Sequence, residues 1–195
     1  MDRDLSDGRK RRAVFLDRDG TLNVDREYVG EPRDVELVPN AAKGARMLAD
    51  AGYVLVVVSN QSGIARGLFT EDDADAVDER LARLLVERGV TIAASYRCPH
   101  LPAAPVPAYA VVCDCRKPLP GLILRAAADL SIDTKRSWAV GDRPRDIAAG
   151  AAAGCRTIAV DPVPRPRDPE DFGAIQPDYR AHDLVDAARR IIAHP

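Results

Sequence analysis

Tyr53-Val54-Leu55-Val56-Val57-Val58 narrows the possible folds of this chain more than any other stretch. A largely β-branched run with no polar face predicts a strand covered on both sides, as central strands of parallel sheets are. It stops at the polar, glycine-containing exit Ser59-Asn60-Gln61-Ser62-Gly63. Ala13-Val14-Phe15-Leu16 is a second such run and ends in Asp17-Arg18-Asp19-Gly20-Thr21; Trp138-Ala139-Val140 is a third and ends at Gly141-Asp142. Thr91 to Tyr96 and Thr157 to Val160 read as further strands. Helices are expected between them. Ala41 to Ala51 follows Asn40 as N-cap and stops at Gly52, while Thr70 with Asp73 forms a capping box opening a helix to about Arg88. Gly121 to Leu130, Ile147 to Ala153 and Leu184 to Ala193, the last capped by Asp183, complete the set. Strands alternating with helices predict an α/β fold built on a doubly wound parallel sheet.

A chain of 195 residues suits one good core, so we expect a single domain over residues 13–195. The net charge of −2 gives no reason to invoke nucleic acid. No apolar run approaches the roughly 20 residues of a membrane span. Met1 to Arg12 is polar and basic, and is expected to be a disordered tail rather than a secretory signal. These features predict a cytoplasmic protein without nucleic-acid or membrane partners. No apolar face demands a dimer, so a monomer is expected.

The chemistry concentrates where the apolar runs end. In doubly wound sheets ligands collect beyond the carboxyl ends of the strands, and the polar clusters fall there: Asp17 and Asp19, Ser59-Asn60, and Gly141-Asp142. Strand alternation would send Asp17 and Asp19 out on one face, with Gly20 permitting a sharp exit. Two crowded carboxylates call for a cation or a shared proton. Such a set fits phosphoryl transfer through a carboxylate nucleophile with Mg²⁺ as the hard cation.

The segment from Cys98 to Pro120 has no helical or strand period and is proline-rich, unusual unless function or a metal holds it. Cys98-Pro99-His100, then Cys113-Asp114-Cys115, offers three thiolates and one imidazole, the donor set of a closed tetrahedral Zn²⁺ site. Cys155 reads as a small core residue. Asp161 to Pro177, also rich in proline, is expected to be a surface loop.

Asp17-Arg18-Asp19-Gly20-Thr21, Ser59-Asn60, Lys117 and Gly141-Asp142 together resemble the four signatures of the haloacid dehalogenase-like phosphatases. The resemblance runs from about Ala13 to Val160. It implies a Rossmann-like sheet with a zinc loop at 98–115 and no large cap domain, acting on a small sugar phosphate. Asp17 would be the nucleophile and a Mg²⁺ ligand; Asp19 would bind Mg²⁺ and serve as general acid and then base; Asp142 would complete the Mg²⁺ set. Ser59 and Asn60 would hold the phosphoryl group with the backbone of the exit loop, including Gln61 and Ser62. Lys117 would neutralise charge, and Arg116 would grip a second phosphate or the sugar. Asp25, Arg26, Glu27 and Tyr28 would line the sugar pocket. Arg143 is a further contact, where the family often has lysine. Asp146 would either orient a metal-bound water or sit as an exposed helix acid.

By the same resemblance the zinc ligands are Cys98, His100, Cys113 and Cys115, and zinc would position both Arg116 and Lys117. Within the superfamily, the Ser62-Gly63-Ile64-Ala65-Arg66-Gly67 run and the long gap between His100 and Cys113 resemble sugar-bisphosphate phosphatases. Histidinol-phosphate phosphatase, with a shorter gap and no such run, is the alternative. A zinc-stabilised binding module without catalysis is a third reading.

Overall fold

The computed structural model describes residues 10–161, 163 and 172–195. Six parallel strands form one sheet: β1 (Ala13–Leu16), β2 (Val54–Asn60), β3 (Ala94–Cys98), β4 (Trp138–Gly141), β5 (Arg156–Val160) and β6 (Tyr179–Ala181). Their order is β3-β2-β1-β4-β5-β6, so the winding reverses between β1 and β4. Leu16 pairs with Val57 on one side and Val140 on the other, which brings the ends of β1, β2 and β4 together.

Five helices cover the sheet: α1 (Ala41–Asp50), α2 (Glu71–Val86), α3 (Gly121–Asp129), α4 (Pro144–Ala152) and α5 (Leu184–Ala193). Strand alternation explains the two layers. Val14, Leu16, Leu55 and Val57 face a core closed by Leu48 of α1, Leu81 of α2 and Leu184 of α5. Ala13, Phe15, Val56 and Val58 face the opposite core, closed by Leu122 and Ile123 of α3 and Ala149 of α4. Both sides of the central strands are dry, as their apolar runs require.

Several local expectations need correction. Asn40 precedes α1 but does not cap it; it adopts a left-handed conformation, and its amide donates to Asp183 at 2.6 Å. The third strand begins at Ala94 rather than Thr91, because its ladder runs from Val56↔Ala94 to Asn60↔Cys98. The fourth helix begins at Pro144, whose fixed φ and missing N–H suit a first helical turn. β6 is too short to show a period and was not anticipated. By contrast, α2 opens with the expected Thr70–Asp73 capping box, and Asp183 accepts from the Asp186 amide at the start of α5.

Arg11 and Arg12 are not loose. The Arg11 amide bonds the Ser131 carbonyl at 2.9 Å, and the Arg12 guanidinium bonds Ala51 at 2.7 Å. The rest of the expected tail, Met1 to Arg9, lies outside the described residues, as does most of the expected loop from Asp161 to Pro177. Among the described residues no helix is long and apolar enough to cross a membrane.

Candidate active site

β1 ends at Leu16, and the Asp17 amide still bonds the Val140 carbonyl of β4 at 2.9 Å. The chain then folds tightly, with Leu22 and Asn23 amides both returning to the Arg18 carbonyl. Gly20 is left-handed at φ +90°, and a Cβ there would fall 2.5 Å from Asp142 Oδ2. Its absence of a side chain therefore does two things: it allows the turn and admits Asp142 from β4.

Carboxylate oxygens of Asp17, Asp142 and Asp146 lie within 4.8 Å of one another, all three residues buried. Lys117 Nζ is 2.6 Å from Asp17 Oδ1, 2.6 Å from Asp146 Oδ1 and 2.8 Å from the Val58 carbonyl. Asp146 also accepts the Arg143 amide at 3.0 Å, closing the first turn of α4. It is thus a buried ion-paired group, and the exposed-acid reading is corrected. Neither carboxylate oxygen of Asp142 has a hydrogen-bond partner, although Arg143 Nε lies 3.0 Å from Oδ2.

The electrostatics follow. Burial, then the charges of Asp17 and Asp146, push Asp142 up to about 8. Burial and the Asp146 charge, opposed by Lys117, raise Asp17 to about 6. Burial works against charge on Lys117, but Asp146 and Asp17 outweigh it and hold the ammonium above its usual range. Three clustered carboxylates face Lys117 and Arg143, and Arg143 is shared with Asp25, which leaves excess negative charge. Oxygen-only donors and a buried Asp142 carboxylate that accepts no hydrogen bond fit a hard divalent cation such as Mg²⁺.

The Asp19 carboxylate stands outside this cluster. The backbone bends after Asp17, which breaks the strand alternation that would have aligned the two side chains. Asp19 instead accepts from Arg18 Nε at 3.1 Å, Asn23 Nδ2 at 2.9 Å and Gln61 Nε2 at 3.0 Å. Burial alone would raise its pKa, but the Arg18 guanidinium and the Asn23 and Gln61 bonds outweigh it and hold it below the usual carboxylate range.

Asn60 and Gln61 are also turned to new uses. Asn60 donates from Nδ2 to the Lys117 carbonyl at 2.9 Å and accepts the Lys117 amide on Oδ1 at 3.0 Å. Its side chain clamps the Lys117 backbone, and the residue also lines the neighbouring polar cavity. Gln61 Nε2 bridges Ser59 Oγ, 2.5 Å away, and Asp19.

Beside this cluster opens a polar cavity of about 330 Å³. Asp19, Asp25, Glu27, Tyr28, Asn60, Gln61 and Ser62 line it, with Arg66, Arg116, Arg143 and Arg145. Arg143 pairs with Asp25 at 3.1 Å, and Arg116 donates to the His100 carbonyl at 3.1 Å. Arg26 does not join them: its guanidinium faces outward to Glu36 at 2.7 Å. Arg66 and Arg145 were not singled out by sequence, although Arg66 sits in the Ser62–Gly67 run. A larger groove of about 680 Å³ along α1 contains no carboxylate and lies apart from this chemistry.

Four sulfur and nitrogen atoms converge on the cavity's flank. Cys115 Sγ lies 3.1 Å from Cys98 Sγ, 3.2 Å from Cys113 Sγ and 3.3 Å from His100 Nδ1. Zinc–sulfur bonds of about 2.3 Å imply edges of about 3.8 Å, so a modest expansion would seat a tetrahedral ion. All four cysteines are free thiols.

A doubly wound parallel sheet carrying an aspartate–lysine–aspartate cluster at its switch point defines a hydrolase of the haloacid dehalogenase type. Residues 114–187 match the model of the HAD-hydrolase-like family. The chain is 40% identical over 181 residues to D-glycero-beta-D-manno-heptose-1,7-bisphosphate 7-phosphatase of Yersinia pestis, covering 93% of this chain and 95% of that protein. Its identity to the enzyme of the same name from Escherichia coli K12 is 41% over 179 residues, covering 92% and 93%. The crystal structure of D,D-heptose 1,7-bisphosphate phosphatase from B. bronchiseptica, complexed with magnesium and phosphate, superposes with a TM-score of 0.79 at 30% identity, covering 94% and 99%. The chain belongs to the haloacid dehalogenase-like phosphatases, in the branch formed by these heptose-bisphosphate phosphatases. It is a phosphatase, and among the described residues no large cap stands over the site.

Proposed function

We propose that this enzyme hydrolyses the 7-phosphate of D-glycero-D-manno-heptose 1,7-bisphosphate through phosphorylation of Asp17, releasing heptose 1-phosphate in the cytoplasm. The observation that carries the reading is the buried Asp17–Lys117–Asp146 cluster with Asp142, which Arg143 links at 3.0 Å to a cavity lined by four arginines. The kinship above supplies the substrate. Four guanidinium groups suit a substrate carrying a second phosphate, since arginine grips phosphate bidentately.

Asp17 attacks phosphorus, and the bond to the sugar oxygen breaks. Lys117 holds Oδ1 of Asp17 and offsets charge as the anions meet. Asp19 gives its proton to the departing alkoxide. Its depressed pKa suits this only once substrate is bound, because a phosphate dianion beside it raises its proton affinity. Water then attacks the phosphoryl group, Asp19 takes that water's proton, and inorganic phosphate leaves with Asp17 restored. Asp17 and Asp142, with Asp146 beside them, would hold Mg²⁺, which would shield the approach of anion to anion. Cys98, His100, Cys113 and Cys115 would hold a structural Zn²⁺ that would close a loop with little core of its own.

The test is phosphate release, with Mg²⁺, from both anomers of the heptose bisphosphate, fructose bisphosphate and histidinol phosphate. A heptose bisphosphate should have the highest kcat/KM, and Asp17→Asn should remove at least ~10³-fold in rate. Preference for histidinol phosphate would overturn the substrate; an active Asp17→Asn would overturn the mechanism.

A further inference from the structure

Arg18 stands between the two aspartates of the signature, and its side chain is only 1% exposed. Its Nε and Nη2 grip Asp19 at 3.1 and 2.9 Å, while Nη1 reaches across to Asp78 Oδ1 on α2 at 3.0 Å. Asp78 is itself held from behind: its Oδ2 accepts from Arg97 Nη1 at 3.1 Å, and Arg97 also pairs with Glu71 and Asp75. Glu71, Asp75 and Asp78 are spaced to share one face of α2. A continuous line of paired charges thus runs from Asp19 through Arg18 and Asp78 to Arg97 on β3.

Stability does not account for this arrangement. A buried guanidinium is expensive to desolvate, and apolar replacements of similar volume are commonly neutral or stabilising. What a fixed two-nitrogen fork supplies is direction: it allows the Asp19 carboxylate few orientations. Asn23 and Gln61 complete the cradle.

We propose that Arg18, anchored by Asp78, is a positioning residue that aims the Asp19 carboxyl group at the leaving-group oxygen. The proposal rests on the reading of Asp19 as proton donor. Misplacing a catalytic group by about 1 Å can cost ~10²-fold, so the effect should be large. It should also be selective. An alkoxide needs a proton to depart, whereas p-nitrophenolate leaves without one, and kcat/KM reports the steps through that departure.

The experiment measures kcat/KM for a sugar bisphosphate and for p-nitrophenyl phosphate in Asp78→Asn, Arg18→Lys, the double variant Arg18→Met/Asp78→Leu and Asp19→Asn, with melting curves for each. The double variant removes both partners of that ion pair together, so the remaining chain is not left with Asp78 missing its Arg18 partner. The sugar-to-aryl ratio should fall at least ~10-fold in the double variant and by a smaller factor in Asp78→Asn, with Arg18→Lys restoring part of the loss. Equal loss on both substrates, tracking melting temperature, would make Arg18 structural only and overturn the proposal. So would ratios unchanged in the Arg18 and Asp78 variants while Asp19→Asn lowers its own. An unchanged ratio in Asp19→Asn removes the proton-donor reading itself, and the proposal with it.

Discussion

Asp142 can reach the catalytic cluster only because residue 20 has no side chain: a Cβ on Gly20 would lie 2.5 Å from Asp142 Oδ2. Gly20→Ala must either push Asp142 back or distort a turn at φ +90°, adding about 1–3 kcal/mol of strain. We expect Mg²⁺ affinity to fall roughly 10- to 100-fold, in the range seen when the supports of a metal ligand are disturbed. Calorimetric titration with Mg²⁺ measures this, and wild-type affinity would show that the cluster tolerates the displacement.

Lys117 is the only cation that the two carboxylates, Asp17 and Asp146, both touch among the described residues. Lys117→Met leaves both buried without it. In Mg²⁺-free buffer it should destabilise the protein by roughly 3–5 kcal/mol, the usual result of removing one partner of a buried pair. Urea denaturation with and without Mg²⁺ checks this: the deficit should shrink when the ion is added.

The folded metal-free protein holds protons that the unfolded chain releases, because Asp17 sits at about 6 and Asp142 at about 8 against an ordinary 3.8. Their contribution favours folding below pH 4 and is lost as pH rises through those two values. Mg²⁺ must displace the same protons, weakening it about tenfold per pH unit for each proton released. The gain in melting temperature on adding Mg²⁺ should therefore widen from pH 5 to pH 8. A gain constant across that range would contradict the assignment of these carboxylates as ligands.

Stripping zinc with a chelator should affect Arg116 more than Lys117. Arg116 leans on the carbonyl of His100, whereas Lys117 is separately clamped by Asn60 and bonded to Val58. In protein that stays folded, KM should rise more than kcat falls. Full activity without zinc would separate the loop from substrate binding altogether.

The sheet could be read from the sequence because its central strands are apolar without interruption and each ends in a polar cluster. Asp17, Ser59 and Asp142 were visible for the same reason. What was hidden depended on partners distant in the chain. Asp19 looked equivalent to Asp17 until the backbone bent and Arg18 claimed it. Nothing local shows that the Asn60 side chain is clamped by the Lys117 backbone, 57 residues on. Asp146 lay one helical turn from Asp142, which left it either beside the metal or exposed, and the reach of Lys117 marks it as internal. Arg26 was placed by its neighbours in sequence, but Glu36 draws it away from them.

Among the described residues no large cap stands over the arginine-lined cavity, so dissolved anions can reach it. Inorganic phosphate and other small anions would compete with substrate for the same guanidinium groups. Ambient phosphate and ionic strength would then act as direct governors of its throughput, and the crowded salts of a living cell would set its working pace as much as the supply of sugar.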